Sequence, residues 1–209
     1  AVDREGWQRW SDSGLYSKDG KPFQLGEDFL WILDPADQKW LEHFINELKL
    51  AREFGFKTFH LDQYGWPKLA YKKGIKNGTA IDMSVQFMTM LNRIVAEIPD
   101  THFIFNNVND FPTWASAKTP QNASYIEVWD PHSEYRDLAE LIDKARSYDP
   151  DKPVILSAYL KPFGGENFEE ANASLELALA TISSRGASHL ITGRSEEHTS
   201  ELQSRFGIS

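Results

Sequence analysis

Six short apolar runs, five of them followed by a segment of helical period, constrain this chain more than any other feature. The runs are FLWILD (29–34), KTFHLDQYG (57–65), HFIFNNVND (102–110), YIEVWD (125–130), KPVILSAYL (152–160) and SHLITG (188–193). Residues 37–54 follow the first run, with Trp40, Phe44, Leu48 and Ala51 on one helical face. Residues 82–98 follow the second, with Phe87, Leu91, Ile94 and Ile98 at helical spacing. A short helix is expected after Pro112, and longer ones over 134–148 and 168–184. Gly55 and Pro99 stand where helices stop. Such alternation builds right-handed βαβ units on a parallel sheet. Apolar runs without strict alternation suit strands covered on both faces. The first two dozen residues carry Trp7, Trp10 and Tyr16 without a clear period and read as a loop or insertion.

Two architectures fit this order, a doubly wound open sheet and a (β/α)8 barrel. No Gly-rich phosphate loop follows a strand, and Gly164-Gly165 lacks the third glycine of a dinucleotide site. Asp34, Asp62, Asn106, Asn107, Glu127 and Tyr159 lie at or just past the C-terminal ends of their strands, the rim where barrels build catalysis. A barrel needs eight strands, so six imply an α/β fold of the truncated TIM-barrel kind over residues 1–193. Residues 194–209 begin RSEEHTSELQS, which resembles the in-frame translation of a sequencing adapter. They are expected to be a tail that is not native, and are left out of the fold.

Composition excludes several classes. Acidic residues outnumber basic ones, 31 to 22, for a formal charge of −9, which argues against a nucleic-acid partner. No apolar run is long enough to span a membrane. Without cysteine there is no disulfide, zinc-thiolate or thiol nucleophile. No Gly-x-Ser-x-Gly elbow supports a serine nucleophile. His60 and Asp62, with His132 or His189, are too sparse for a typical metal site, so no metal or organic cofactor is expected. The N-x-S/T triplets at Asn77, Asn122 and Asn172 are short enough to arise by chance.

Two carboxylates carry the chemistry. The period of two puts His60 and Asp62 on one strand face, beside Gln63, Tyr64 and Trp66. A carboxylate so flanked suits a sugar site, where aromatics stack and amides hold hydroxyls; it also suits a simple loop cap. Glu127 sits inside an apolar run, where burial favours the protonated form that a general acid requires. The bland alternative is a Glu paired with Lys or Arg. Two carboxylates across a glycosidic bond are the equipment of glycoside hydrolysis.

Taken together, GFKTFHLDQYG, NNVNDFP, YIEVWDPHSEY, KPVILSAYLKPF and GASHLITG resemble glycoside hydrolase family 66, the dextranases and cycloisomaltooligosaccharide glucanotransferases. The resemblance runs from about residue 29 to residue 193. It implies a (β/α)8 catalytic domain, here strands three to eight, acting on α-1,6-glucan with retention. It implies Asp62 as nucleophile and Glu127 as acid/base, at the ends of strands four and six. Asp34, His60, Gln63, Tyr64, Trp66, Asn107, Trp129 and Tyr159 are the candidate substrate contacts, chosen for chemistry and rim position.

The function expected is thus a retaining dextranase, with dextran and isomaltooligosaccharides as partners. A cyclising glucanotransferase and a non-catalytic glucan-binding barrel are the rivals. The resemblance further implies a bacterial protein, secreted or held at the cell surface, with its signal upstream of residue 1. An opened barrel exposes strand edges and apolar interior. The 209-residue chain is therefore expected to fold poorly and to be inactive by itself, while encoding part of an active enzyme.

Overall fold

The computed structural model describes residues 1–74, 79–158, 160–164 and 167–191. The chain divides into two compact units, Ala1–Phe103 with Lys118–Gln121, and Ile104–Ala117 with the chain from Asn122 onward. The boundary between Phe103 and Ile104 falls inside a strand.

The first unit opens on α1 (Arg4–Trp10), capped by the Asp3 carboxylate, which accepts from the Gly6 amide at 2.8 Å. This is the first departure from expectation, because the unpatterned start is an ordered aromatic packing. Trp7 stacks on Trp31 with ring centroids 5.8 Å apart. Gly14 lets it do so, since a Cβ there would lie 2.5 Å from the Trp7 ring. The second departure concerns FLWILD. Within it, β2 (Leu30–Trp31) pairs antiparallel with β1 (Gln24–Leu25) instead of joining the parallel sheet. Val2 bridges Trp31, and Gly14 bridges Leu33. Trp31, Ile32 and Leu33 are buried as their apolarity requires, while Phe29 is exposed and Leu30 half-buried, and local chain takes the backbone hydrogen bonds.

Helix α2 (Gln38–Glu53) is capped by Asp37 and stops before Gly55, whose φ of 101° a side chain would strain. Its buried face is Leu41, Ile45 and Leu48. Trp40 and Phe44 lie a step to the side, half-buried and stacked on each other. β3 (Thr58–Leu61) follows. A hairpin, β4 (Leu69–Ala70) with β5 (Ile81–Asp82), was not legible from the sequence pattern. Asp82 caps α3 (Met83–Glu97), which buries Met83, Met90, Leu91 and Ile94.

β6 (His102–Asn106) begins in the first unit, where its first residue donates its amide to the Lys57 carbonyl at 2.9 Å. In the second unit it pairs in parallel with β7 (Ala123–Val128), which pairs with β8 (Val154–Ala158), which pairs with β9 (Ser188–His189). The sheet order is β3-β6-β7-β8-β9, so five of the six expected strands lie in one mostly parallel sheet. Between them run α4 (Thr113–Ser116), α5 (Tyr135–Tyr148) and α6 (Phe168–Ser184), at or within a residue of their expected starts.

One face of this sheet is closed by helices. Ile126, Val128, Val154, Leu156 and Ala158 pack with Leu138, Leu141 and Ile142 of α5 and with Ala178 and Ile182 of α6. Each fully buried Leu or Ile there contributes roughly 1.5–3 kcal/mol. By the period of two, the other face carries Ile104 and Asn106, Tyr125 and Glu127, and Ile155 and Ser157.

Candidate active site

In the first unit β3 ends at Leu61, and Asp62 is the next residue. His60 and Asp62 are exposed while Leu61 and Gln63 are buried, as alternation along a strand requires. One Asp62 carboxylate oxygen accepts from the Gln63 amide at 2.8 Å. The Gln63 side chain turns back to accept from the Gly65 amide, and Gly65 takes a φ of 75°. That tight loop presents Tyr64 and Trp66 on the same stretch of chain as Asp62. Burial, and then the Asp62 charge, push the Tyr64 phenol above its usual range. Trp66 is 40% exposed and packs edge-on against Phe23. An exposed indole can stack on a sugar ring.

In the second unit Glu127 is the one half-buried residue of β7; the other five are buried. Its Oε2 accepts from Asn106 Nδ2 at 2.8 Å, and its backbone amide donates to Asn106 Oδ1 at 3.3 Å. Asn109 holds the chain just beyond. Its Oδ1 accepts from the Trp129 amide at 2.7 Å, and its Nδ2 donates to the Asp130 carbonyl at 2.9 Å. Trp129 is thereby fixed two residues past Glu127, half-buried. The two carboxylates belong to different compact units.

Two candidate contacts belong to the fold instead. Asn107 has no exposed surface, so a sugar cannot reach it. Its Nδ2 donates to the carbonyls of Phe105 and Tyr125, and its Oδ1 accepts from Ser116 Oγ at 2.5 Å. It faces away from Glu127 because it is one residue out of phase with Asn106. Asp34 is 1% exposed and its carboxylate is fully engaged. It accepts from the Ala36 amide, from Gln86 Nε2 at 2.8 and 2.9 Å, and from Lys72 Nζ at 2.8 Å. Lys72 also meets Asp37, whose other oxygen accepts from Ser13 Oγ. Burial pulls the Lys72 ammonium down, but the two carboxylates outweigh it and hold it above its usual range. Tyr159 lies outside the described residues, as do residues 194–209.

This buried network makes a prediction about stability. Lys72→Met leaves the Asp34 charge buried without its cation, so urea unfolding is expected to show a loss of about 3 kcal/mol. Adding Asp34→Asn recovers part of that loss. A single variant as stable as the parent would show that Gln86 and the Ala36 amide satisfy Asp34 unaided.

Sequence reasoning ranked Asn107 above Asn106 and gave Ser157 no role. The signal that could have reversed this was the strand period, which puts Asn106 and Ser157 on the face of Glu127. Among the described residues no group of three His, Asp, Glu or Cys side chains is placed to hold a metal ion. Nor is any helix among them long and apolar enough to cross a membrane.

The fold and these residues define a class, an α/β protein carrying carboxylates on its strand ends with aromatics beside them, as glycoside-cleaving enzymes do. The chain belongs to glycosyl hydrolase family 66, whose family model matches residues 2–202. It is similar in structure to a cycloisomaltooligosaccharide glucanotransferase from Paenibacillus sp., crystallised with cycloisomaltoheptaose, at a TM-score of 0.62 and 21% identity. That match covers 74% of this chain and 25% of the other, so the chain spans about a quarter of that protein's length. A search of curated proteins gives no match.

Proposed function

We propose that this chain carries the catalytic carboxylates of a retaining enzyme that cleaves the α-1,6-glucosidic bonds of dextran. The observation that carries this reading is Glu127, the one half-buried residue of β7, held by an amide side chain, in a member of family 66. The five-stranded sheet is read as part of a (β/α)8 barrel, with the Asp62 and Glu127 strands as its fourth and sixth. FLWILD does not serve as the third strand in this structure, because its pairing partners are the N-terminal residues.

The reaction proceeds in two displacements. The Asp62 carboxylate attacks the anomeric carbon while Glu127 protonates the leaving glycosidic oxygen. The C–O bond breaks and a glycosyl ester forms on Asp62. Glu127, now ionised, takes a proton from water, whose oxygen attacks the same carbon and frees Asp62. A sugar hydroxyl in place of water gives transfer instead of hydrolysis. Such a pair works at a carboxyl separation of about 5–5.5 Å. Tyr64, Trp66 and Trp129 are the proposed stacking surfaces, with His60 as a hydroxyl partner; Gln63, buried and turned back onto the Gly65 amide, shapes the loop instead.

A glucanotransferase making cyclic products is the second reading, favoured by the solved relative, which is itself one. A barrel that only binds glucan is the third. Dextran digestion by the full-length enzyme, with product analysis, separates them. Linear isomaltooligosaccharides are the expected result. Cyclic products move the assignment to transfer, and binding without turnover leaves the third reading. Cleavage of a different glycan would keep the carboxylate argument and break the substrate inference.

A further inference from the structure

Asn106 lies on the strand beside Glu127, is almost fully buried, and has no part in the reaction as written above. Two hydrogen bonds join the residues, one in each direction. The second decides which way the amide faces. The Glu127 backbone N–H can only donate, so it must meet the carbonyl oxygen Oδ1, and the NH2 is left for the carboxylate. An amide NH2 has no lone pair to offer a carboxylic O–H. A carbonyl oxygen accepts from that NH2 better than a carboxylic O–H oxygen does, so with Asn106 facing Oε2 the carboxyl proton is favoured on Oε1. No protein hydrogen bond among the described residues reaches Oε1.

We propose that Asn106 is a positioning residue that assigns the Glu127 proton to Oε1, the oxygen that delivers it to the leaving sugar and later takes one from water. The proposal rests on the acid/base reading of Glu127. The choice of an amide has a physical reason. Its bond to Oε2 survives both protonation states, because the same NH2 donates to the carbonyl of the acid and to the carboxylate. A Lys or Arg in that place would hold the carboxylate ionised. An Asp would compete with it for the proton.

The experiment compares two substrates of the full-length enzyme, an isomaltooligosaccharide and α-isomaltosyl fluoride, whose fluoride leaves without protonation. The readout is the ratio of their kcat/KM values, since kcat/KM reports the step in which the leaving group departs. Asn106→Ala is expected to lower the ratio of oligosaccharide to fluoride about tenfold or more, within what general acid catalysis supplies. Asn106→Asp fills the same space and is expected to lower it too, so the test survives if the Ala variant fails to fold. Loss of both substrates in equal proportion would make Asn106 a structural residue and overturn the proposal. Glu127→Gln is the control. If it leaves the ratio unchanged, the acid/base reading itself falls; if it lowers the ratio and the Asn106 variants do not, only the proposal falls.

Discussion

Asp62→Asn in the full-length enzyme is expected to abolish glucan cleavage, lowering kcat/KM on the order of 10⁴-fold or more, while leaving the fold intact. The two effects separate because of where the residue sits. Asp62 is exposed, just past the end of β3. Its hydrogen bond from the Gln63 amide needs only an oxygen, which Asn supplies at the same position. On the proposed mechanism, what Asn cannot supply is a nucleophile, so no glycosyl ester would form and both displacements would stop. Initial rates on dextran and a thermal melt read the two effects. A slow-reacting fluorosugar adds a direct check, since the labelled peptide of the parent enzyme should carry the sugar on Asp62. Label on another residue, or a variant retaining a tenth of the activity, would remove Asp62 from the role.

Glu127→Gln is expected to lower kcat on dextran about 10²–10⁴-fold, the span of general acid–base catalysis. Gln keeps an oxygen for the Asn106 amide, so the local structure has no reason to change. A smaller variant tests retention as well. On the proposed mechanism, Glu127→Ala opens space on the face from which water would attack the glycosyl ester. Azide should enter that space and restore turnover of a fluoride substrate, giving the α-glucosyl azide. A β-azide would mean inversion and would overturn the double displacement. No rescue by azide, in a variant that folds and binds dextran, would take the base role from Glu127.

The two carboxylates proposed for the reaction stand out in the sequence because their signals are local. Glu127 is a charged residue in an apolar run, and burying such a group has a cost that function can explain. Asp62 follows a strand directly and is flanked by aromatics. The contacts proposed around them were less legible, for two reasons. Asn106 and Asn107 are chemically identical, and one residue of phase decides which meets Glu127 and which is sealed against Ser116. Asp34 looked like a rim carboxylate, but Lys72 and Gln86 come from segments distant in sequence to occupy it.

By itself the sequence determined the long helices α2, α3, α5 and α6, to within a residue of their limits, and the chain order of the five sheet strands, but not α1. Helix α6 begins and ends where its period says it should, and Asp37, Asp82 and Asn167 cap the helices they precede. These are short-range matters, settled by a repeat of 3.6 or 2 residues and by a side chain within reach of its own backbone. Only the tertiary structure decided who covers whom. Trp31, Ile32 and Leu33 were bound to be buried, but Val2, Gly14 and Gln24–Leu25 paired with their segment. Trp7 found Trp31, and α2 turned Leu41 and Ile45 inward where the pattern favoured Trp40 and Phe44. Periodicity reports that a face is buried. The partner that buries it comes from elsewhere in the chain, and no local pattern encodes that choice.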